Sequence, residues 1–309
     1  MELYFLGTGA GLPSKQRNVS AVALTLYDER STFWLFDCGE ATQHQMIHSP
    51  LRLTKLEFIF ITHLHGDHIF GLPGLLASRS SQGANTLLTI FGPPGIKLFV
   101  DTTLKVSQSY LQYQIQVIEI VEGNEGFIYQ DQQFSISSKK LDHGIASYGY
   151  RIVEHDLPGT FYPEQAKAAG VPAGPLFSKL KKGETIVLEN GQVLHGMDFV
   201  GPDKKGRKLA ILGDTKYCES ACELAQEVDV LVHEATFVDA DLVLAQKYYH
   251  STAKQAAITA SKAKAKALIL NHISARYHGN LENALLHEAQ AIFSPTYVAH
   301  DHFSFSVVR

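Results

Sequence analysis

A chain of 309 residues with 45% apolar side chains is long enough to bury a full core, which excludes disorder as its default state. A formal net charge of -4 gives it no overall pull on a polyanion, so any nucleic-acid contact has to come from local charge. Three cysteines exclude a disulfide-built scaffold, and no apolar run reaches the roughly 20 residues needed to cross a bilayer.

The opening Met1-Glu2-Leu3-Tyr4-Phe5-Leu6-Gly7 has neither a basic leader nor a small-residue cleavage site, and it reads as the first strand of a cytoplasmic protein. Further strands are expected at 19–26, 33–36, 58–62 and 87–91. Helix formers occupy 39–48, and a helical segment is expected through 101–109, after the Gly92-Pro93-Pro94-Gly95 breaker. In the second half 209–212, 228–232 and 268–270 are compact apolar strands. Residues 251–260 read as a capped helix, 281–291 as another and 303–308 as a last strand. Strands and helices interleave in both halves, so an α/β architecture is favoured over a helical bundle or a β-sandwich.

Residues 157–180 break this alternation with Pro158, Gly159, Pro163, Gly170, Pro172, Gly174 and Pro175. A central sheet does not tolerate that density of proline, so the stretch is expected to form a protruding or mobile excursion. Lys179, Lys181 and Lys182 follow it, which suits a contact arm for nucleic acid, although a functionless insertion would have the same composition. The run Lys204-Lys205-Gly206-Arg207-Lys208 could be an RNA contact, although such a run is more often a solvated loop.

The chemical signal follows the strand at 58–62, where His63-Leu64-His65-Gly66-Asp67-His68 puts four donors on one turn. Imidazole and carboxylate are the ligands of zinc, and a pair of such ions would polarise a phosphate and lower the pKa of water. One short cluster cannot supply every donor for two ions, so others must arrive from distant strand ends. His143, Asp214 and His272 fit, each lying just beyond an apolar run or beside a turn residue. Cys218 and Cys222 are read as inert thiols.

His63-Leu64-His65-Gly66-Asp67-His68 resembles the HxHxDH signature of the metallo-β-lactamase superfamily, and the wider sequence resembles the ribonuclease Z family. The likeness spans essentially the whole chain, through Gly7-Thr8-Gly9-Ala10-Gly11, Phe36-Asp37-Cys38-Gly39-Glu40, His233-Glu234-Ala235-Thr236 and His272-Ile273-Ser274-Ala275-Arg276-Tyr277. It implies a metallo-β-lactamase fold, a four-layer αββα sandwich forming a single domain over 1–309, with a flexible substrate-binding arm at about 155–183. It implies two zinc ions per subunit, with His63, His65 and His143 on one, Asp67, His68 and His272 on the other, and Asp214 bridging them.

The same likeness gives Asp67 a general-base role besides coordination, and makes Glu234 and His250 a proton relay. On the residues alone, Glu234 reads equally as a buried ion-pair partner and His250 as a neighbour of a helix cap. Pro13-Ser14-Lys15-Gln16-Arg17-Asn18 matches the family's PxKxRN loop, which implies substrate binding by Lys15, Arg17 and Asn18. The implied activity is endonucleolytic removal of the 3′ trailer from precursor transfer RNA by a homodimer. A general phosphodiesterase or 3′ exoribonuclease on the same sandwich, and a noncatalytic RNA-binding module, are the alternatives.

Overall fold

The computed structural model describes residues 1–121, 123 and 126–309. The chain divides into two compact units, one of Met1–Val153 with Lys208–Val308 and one of Glu154–Arg207 with Arg309.

Among the described residues of the larger unit, two seven-stranded sheets form the centre. The first runs in the order Ser304–Ser306, Glu2–Gly7, Ala21–Leu26, Thr32–Phe36, Leu56–Phe60, Leu88–Gly92, Ile115–Glu119. The second runs Thr296–Val298, Leu268–Asn271, Val230–Glu234, Lys208–Ile211, Tyr148–Glu154, Phe134–Lys140, Gly126–Gln130. Between their facing sides lies one core, with Leu3, Phe5, Trp34, Phe36 and Phe60 from the first sheet and Phe134, Ile136, Tyr150, Leu209 and Val232 from the second. Each such fully buried side chain contributes about 1.5–3 kcal/mol relative to an exposed one.

Helices cover the outer faces. Leu72, Leu75 and Leu76 of helix Leu72–Ser81, with Ile96 and Val100 of Ile96–Val106, pack on the first sheet. On the second lies Ala253–Lys262, whose Ala253, Ala256, Ala257 and Ala260 form a flat face of small side chains. Thr252 starts that helix with a capping box: its Oγ1 accepts from Gln255 N at 3.2 Å while Gln255 Oε1 accepts from Thr252 N at 3.0 Å. The result is the expected four-layer αββα sandwich.

Both sheets contain a parallel run: Thr32–Phe36, Leu56–Phe60, Leu88–Gly92 and Ile115–Glu119 in the first, Lys208–Ile211, Val230–Glu234, Leu268–Asn271 and Thr296–Val298 in the second. In parallel α/β sheets the carboxyl ends of the strands are where ligands bind, because that is where the connecting loops gather. Asp37, the 63–68 turn, Asp214, Glu234 and His272 all stand at such ends.

Among the described strands of the two sheets, Ile115–Glu119, Gly126–Gln130, Phe134–Lys140 and Thr296–Val298 escape the sequence reading. The first two are half-buried and mix apolar with polar residues, so neither continuous hydrophobicity nor clean alternation marks them.

The smaller unit has its own core of Ala166, Val171, Leu180, Ile186, Leu194 and Phe199. Two of its prolines start helices rather than break them: Pro163–Ala168 and Pro175–Lys181 both carry proline in their first turn, where the missing N–H costs nothing. The resemblance implies an arm at about 155–183, and the compact unit that includes this stretch extends to Arg207. The difference arises because Ile186 and Leu194 of the hairpin Thr185–Val187/Val193–His195, and Phe199 beyond it, complete the core. At the unit's two ends Glu154 receives Arg207 Nε at 2.7 Å and Nη2 at 2.8 Å, joined by Arg309 Nη2 at 2.5 Å.

Candidate metal centre

The turn after Leu56–Phe60 is shaped by close approach. A Cβ at Gly66 would lie 2.2 Å from the Phe70 ring, and one at Gly39 would lie 2.3 Å from the carbonyl oxygen of Asp67. The φ of Gly66 is ordinary, and what this glycine supplies is room for Phe70.

The structure brings His63, His65, Asp67, His68, His143, Asp214 and His272 together. Within each of the sets His63/His65/His143, His63/His68/Asp214 and Asp67/His68/His272, the ligand atoms lie within 4.8 Å of one another. Asp214 is central, its Oδ2 at 3.6 Å from His63 Nε2, 3.4 Å from His68 Nε2 and 3.3 Å from His272 Nε2.

Hydrogen bonds on the far side of four rings decide which nitrogen faces inward. Asp37 accepts from Thr62 N at 2.7 Å, from Thr62 Oγ1 at 2.8 Å and from His68 Nδ1 at 2.7 Å. With its proton given to Asp37, the Thr62 hydroxyl accepts from His63 Nδ1 at 3.0 Å. Thr236 Oγ1 donates to Glu234 Oε2 at 2.6 Å and accepts from His272 Nδ1 at 2.9 Å. His143 Nδ1 donates to the carbonyl oxygen of Tyr249 at 2.8 Å. Each ring thus turns its Nε2 toward the centre, the outer-partner pattern of metal-binding histidines.

This arrangement fits a pair of cations. His68 Nε2 and His272 Nε2 face one another at 3.3 Å although both rings donate through Nδ1 elsewhere, so a positive charge is needed between them. His63 Nε2 is buried without a hydrogen-bond partner and points among the other donors. Imidazole and carboxylate donors in this number suit zinc.

The electrostatics agree. Burial, followed by His68, drives His63 well below its ordinary pKa, so its nitrogen is a free base. Burial disfavours charge on His68, yet Asp214 and Asp37 outweigh it and raise the group well above the usual imidazole range. Asp67 and Asp214 resist the upward push of burial and stay far below the carboxylate range, held by His272 and His68. Backbone conformation is unusual at the same place: His272 at φ 56° and Asp37 at φ 57° lie in the left-handed region, which costs an L side chain of order 1 kcal/mol or more.

Beside the centre, His250 Nδ1 stands 2.9 Å from Glu234 Oε1. Burial opposes a charge on His250, but Glu234 and then Asp214 push its pKa up to about 9. Glu234 is buried and also accepts from Thr215 N at 2.9 Å, which fixes the residue after Asp214. His233 faces away, with Nδ1 donating to the carbonyl oxygen of Glu234 at 2.8 Å. Asp37, Thr236 and the carbonyl of Tyr249 were not singled out in the sequence. Asp37 and Thr236 sit inside quoted motifs, but nothing in one sequence marks an outer partner, and a carbonyl has no sequence signal.

The 13–18 loop is arranged differently from the expectation. Arg17 is buried, its Nη1 donating at 2.6 Å to Thr8 Oγ1 and to the carbonyl oxygen of Ala299, its Nη2 paired with Glu282 at 2.9 Å. The guanidinium is engaged within the chain and anchors the loop. Asn18 Nδ2 donates to the carbonyl oxygen of Glu40 at 2.9 Å, and Lys15 is exposed. In the basic run near 204–208, Lys205 pairs with Asp156 and Arg207 with Glu154.

Two sheets presenting a histidine and aspartate cluster at their strand ends define a metal-dependent hydrolase of the metallo-β-lactamase fold. The metallo-beta-lactamase fold protein YhfI from Bacillus subtilis matches over 98% of each chain with a TM-score of 0.66 at 18% identity, a likeness of fold. The human tRNase Z short form superposes with a TM-score of 0.72 at 31% identity over 100% of both chains. A family model described as anti-Pycsar protein Apyc1 matches residues 1–154. Ribonuclease Z of Anoxybacillus flavithermus is 56% identical over 309 residues, 100% of this chain and 98% of that one; ribonuclease Z of Geobacillus kaustophilus is 55% identical over 100% of both. The chain belongs to the ribonuclease Z family.

Proposed function

We infer that the chain is an endoribonuclease that removes the 3′ trailer from precursor transfer RNA, cutting after the discriminator nucleotide and leaving a 3′ hydroxyl. The observation that carries this reading is a full set of inward-facing metal donors in a chain 55–56% identical, end to end, to ribonucleases Z. His63, His65 and His143 would hold one zinc ion, Asp67, His68 and His272 a second, and Asp214 would bridge them. When bound, such a pair supplies Lewis acidity at the phosphate and acidifies water.

The chain's own groups complete the chemistry. The inward contacts of Asp67, with His68 and His272, run through Oδ2, which also accepts from Gly11 N at 2.7 Å. Oδ1 is left to orient the attacking water and take its proton. Glu234 holds His250 in its protonated form through Nδ1, so that Nε2 can deliver a proton to the departing 3′ oxygen.

Exposed Lys15 and the loop anchored by Arg17 meet the acceptor end in this reading, and the Glu154–Arg207 unit contacts the body of the transfer RNA. The active form is a homodimer of a cytoplasmic protein; among the described residues no helix is long and apolar enough to cross a membrane.

Product mapping tests the reading. Zinc-loaded protein is given two precursors, one encoding CCA and one lacking it. A single cut at the discriminator of the CCA-less precursor, with a 5′ phosphate on the trailer, is expected. Stepwise shortening would replace this reading with a 3′ exoribonuclease.

A further inference from the structure

The rim of the metal centre carries an aromatic ring that the chemistry above does not use. Tyr249 lies between helix Leu242–Lys247 and His250 with φ 61°, a left-handed conformation that disfavours a bulky aromatic residue. Its carbonyl is pinned by His143 Nδ1 at 2.8 Å, while the residue stays 42% exposed. The Lys216 ammonium stands 4.6 Å from the ring centroid. Lys216 is itself held, its N donating to the carbonyl oxygen of Asp142 at 2.8 Å and its Nζ lying 3.3 Å from Asp142 Oδ2. Gly144 flanks the ring; a Cβ there would come within 3.7 Å of Cδ2.

An exposed ring with a cation at its face is what single-stranded nucleic acid binds: the base stacks and the charge meets the backbone. The strained φ sets this pair beside the groups that cut, because the same residue's carbonyl orients His143. We propose that Tyr249 and Lys216 form a subsite for one of the two nucleotides flanking the scissile phosphate, the ring stacking on its base and the ammonium meeting a neighbouring phosphate. The Asp142 carboxylate shares the ammonium and offsets part of its charge, so stacking is the larger contribution. This inference rests on the RNA-cleaving reading above.

The test uses precursor transfer RNAs with an abasic residue immediately 5′ or 3′ of the cut. They are compared on the unaltered enzyme, Tyr249→Leu and Tyr249→Phe. The readouts are KM, kcat, and equilibrium binding of a precursor blocked by a methylphosphonate at the junction. Tyr249→Leu is expected to raise KM and the dissociation constant about tenfold, with a smaller change in kcat, and Tyr249→Phe to restore binding. At one of the two positions the abasic substitution should cost the unaltered enzyme a similar factor and cost Tyr249→Leu nothing more. Lys216→Gln should reduce the slope of log KM against log salt by about 0.7. Losses that multiply at both positions, or a Tyr249→Phe variant as weak as Tyr249→Leu, overturn the stacking subsite. An unchanged salt slope overturns its phosphate contact. If the unaltered chain cuts no precursor at all, the RNA-cleaving reading fails and the subsite falls with it.

Discussion

Asp37 accepts three hydrogen bonds and through them sets the tautomers of His63 and His68, one directly and one by way of Thr62. Asp37→Ala frees both rings to turn, and zinc affinity is expected to fall about 10–100-fold, measured by competition with a chromophoric chelator. Affinity equal to the parent would mean that packing alone orients the rings. His250→Ala bears on the proton relay. It should lower kcat for precursor cleavage by about 10²–10⁴-fold with zinc content unchanged, because only the acid for the leaving oxygen is lost. A parent-like kcat at saturating substrate would remove His250 from the reaction, and loss of zinc would make it a ligand, a role its proximity to Asp214 and His272 also permits. At this scale the donors were legible, because the 63–68 cluster, Asp214 and His272 follow apolar runs and His143 stands beside a glycine. Their outer partners were not: Thr236 and Asp37 look like any hydroxyl or carboxylate until the fold aims them.

Arg17 and Lys15 share one loop and divide its work. Arg17→Ala would leave Glu282 unpaired and Thr8 and Ala299 without their donor, so thermal denaturation should show a loss of about 1–3 kcal/mol. Lys15→Ala should leave the melting temperature alone and raise KM for precursor. A Lys15 variant with parent-like KM would take this side chain out of RNA binding. Among the less obvious strands, Asp131 links the turn before Phe134–Lys140 to Arg30, at 2.7 Å. Burial raises its pKa, but hydrogen bonds from the N–H groups of Phe134 and Gln133 and from Arg30 lower it further, from 3.8 to about 2. Its contribution is therefore present above about pH 3.8 and lost as pH falls through about 2. Urea titrations of Asp131→Asn should show a deficit at neutral pH that disappears below about pH 2, whereas a deficit independent of pH would contradict the linkage. The Glu154–Arg207 unit illustrates the limit of element reading: proline density marks the stretch 157–180 inside it, but the packing of Ile186, Leu194 and Phe199 that completes its core is a tertiary fact.

For the molecule as a whole, the α/β alternation was legible because buried parallel strands read as unbroken apolar runs, as at 58–62 and 268–270. The pairing of two sheets face to face came only from the family resemblance, since periodicity does not say which strands share a sheet. Everything functional follows from loops at the carboxyl ends of those strands converging on one set of nitrogens and carboxylates. The most direct measurement of that claim is anomalous scattering at the zinc edge from crystals of the zinc-loaded protein. Two peaks are expected, one ringed by His63, His65 and His143, the other by Asp67, His68 and His272, with Asp214 touching both. No peak at these positions, or a lone peak elsewhere, would contradict the account.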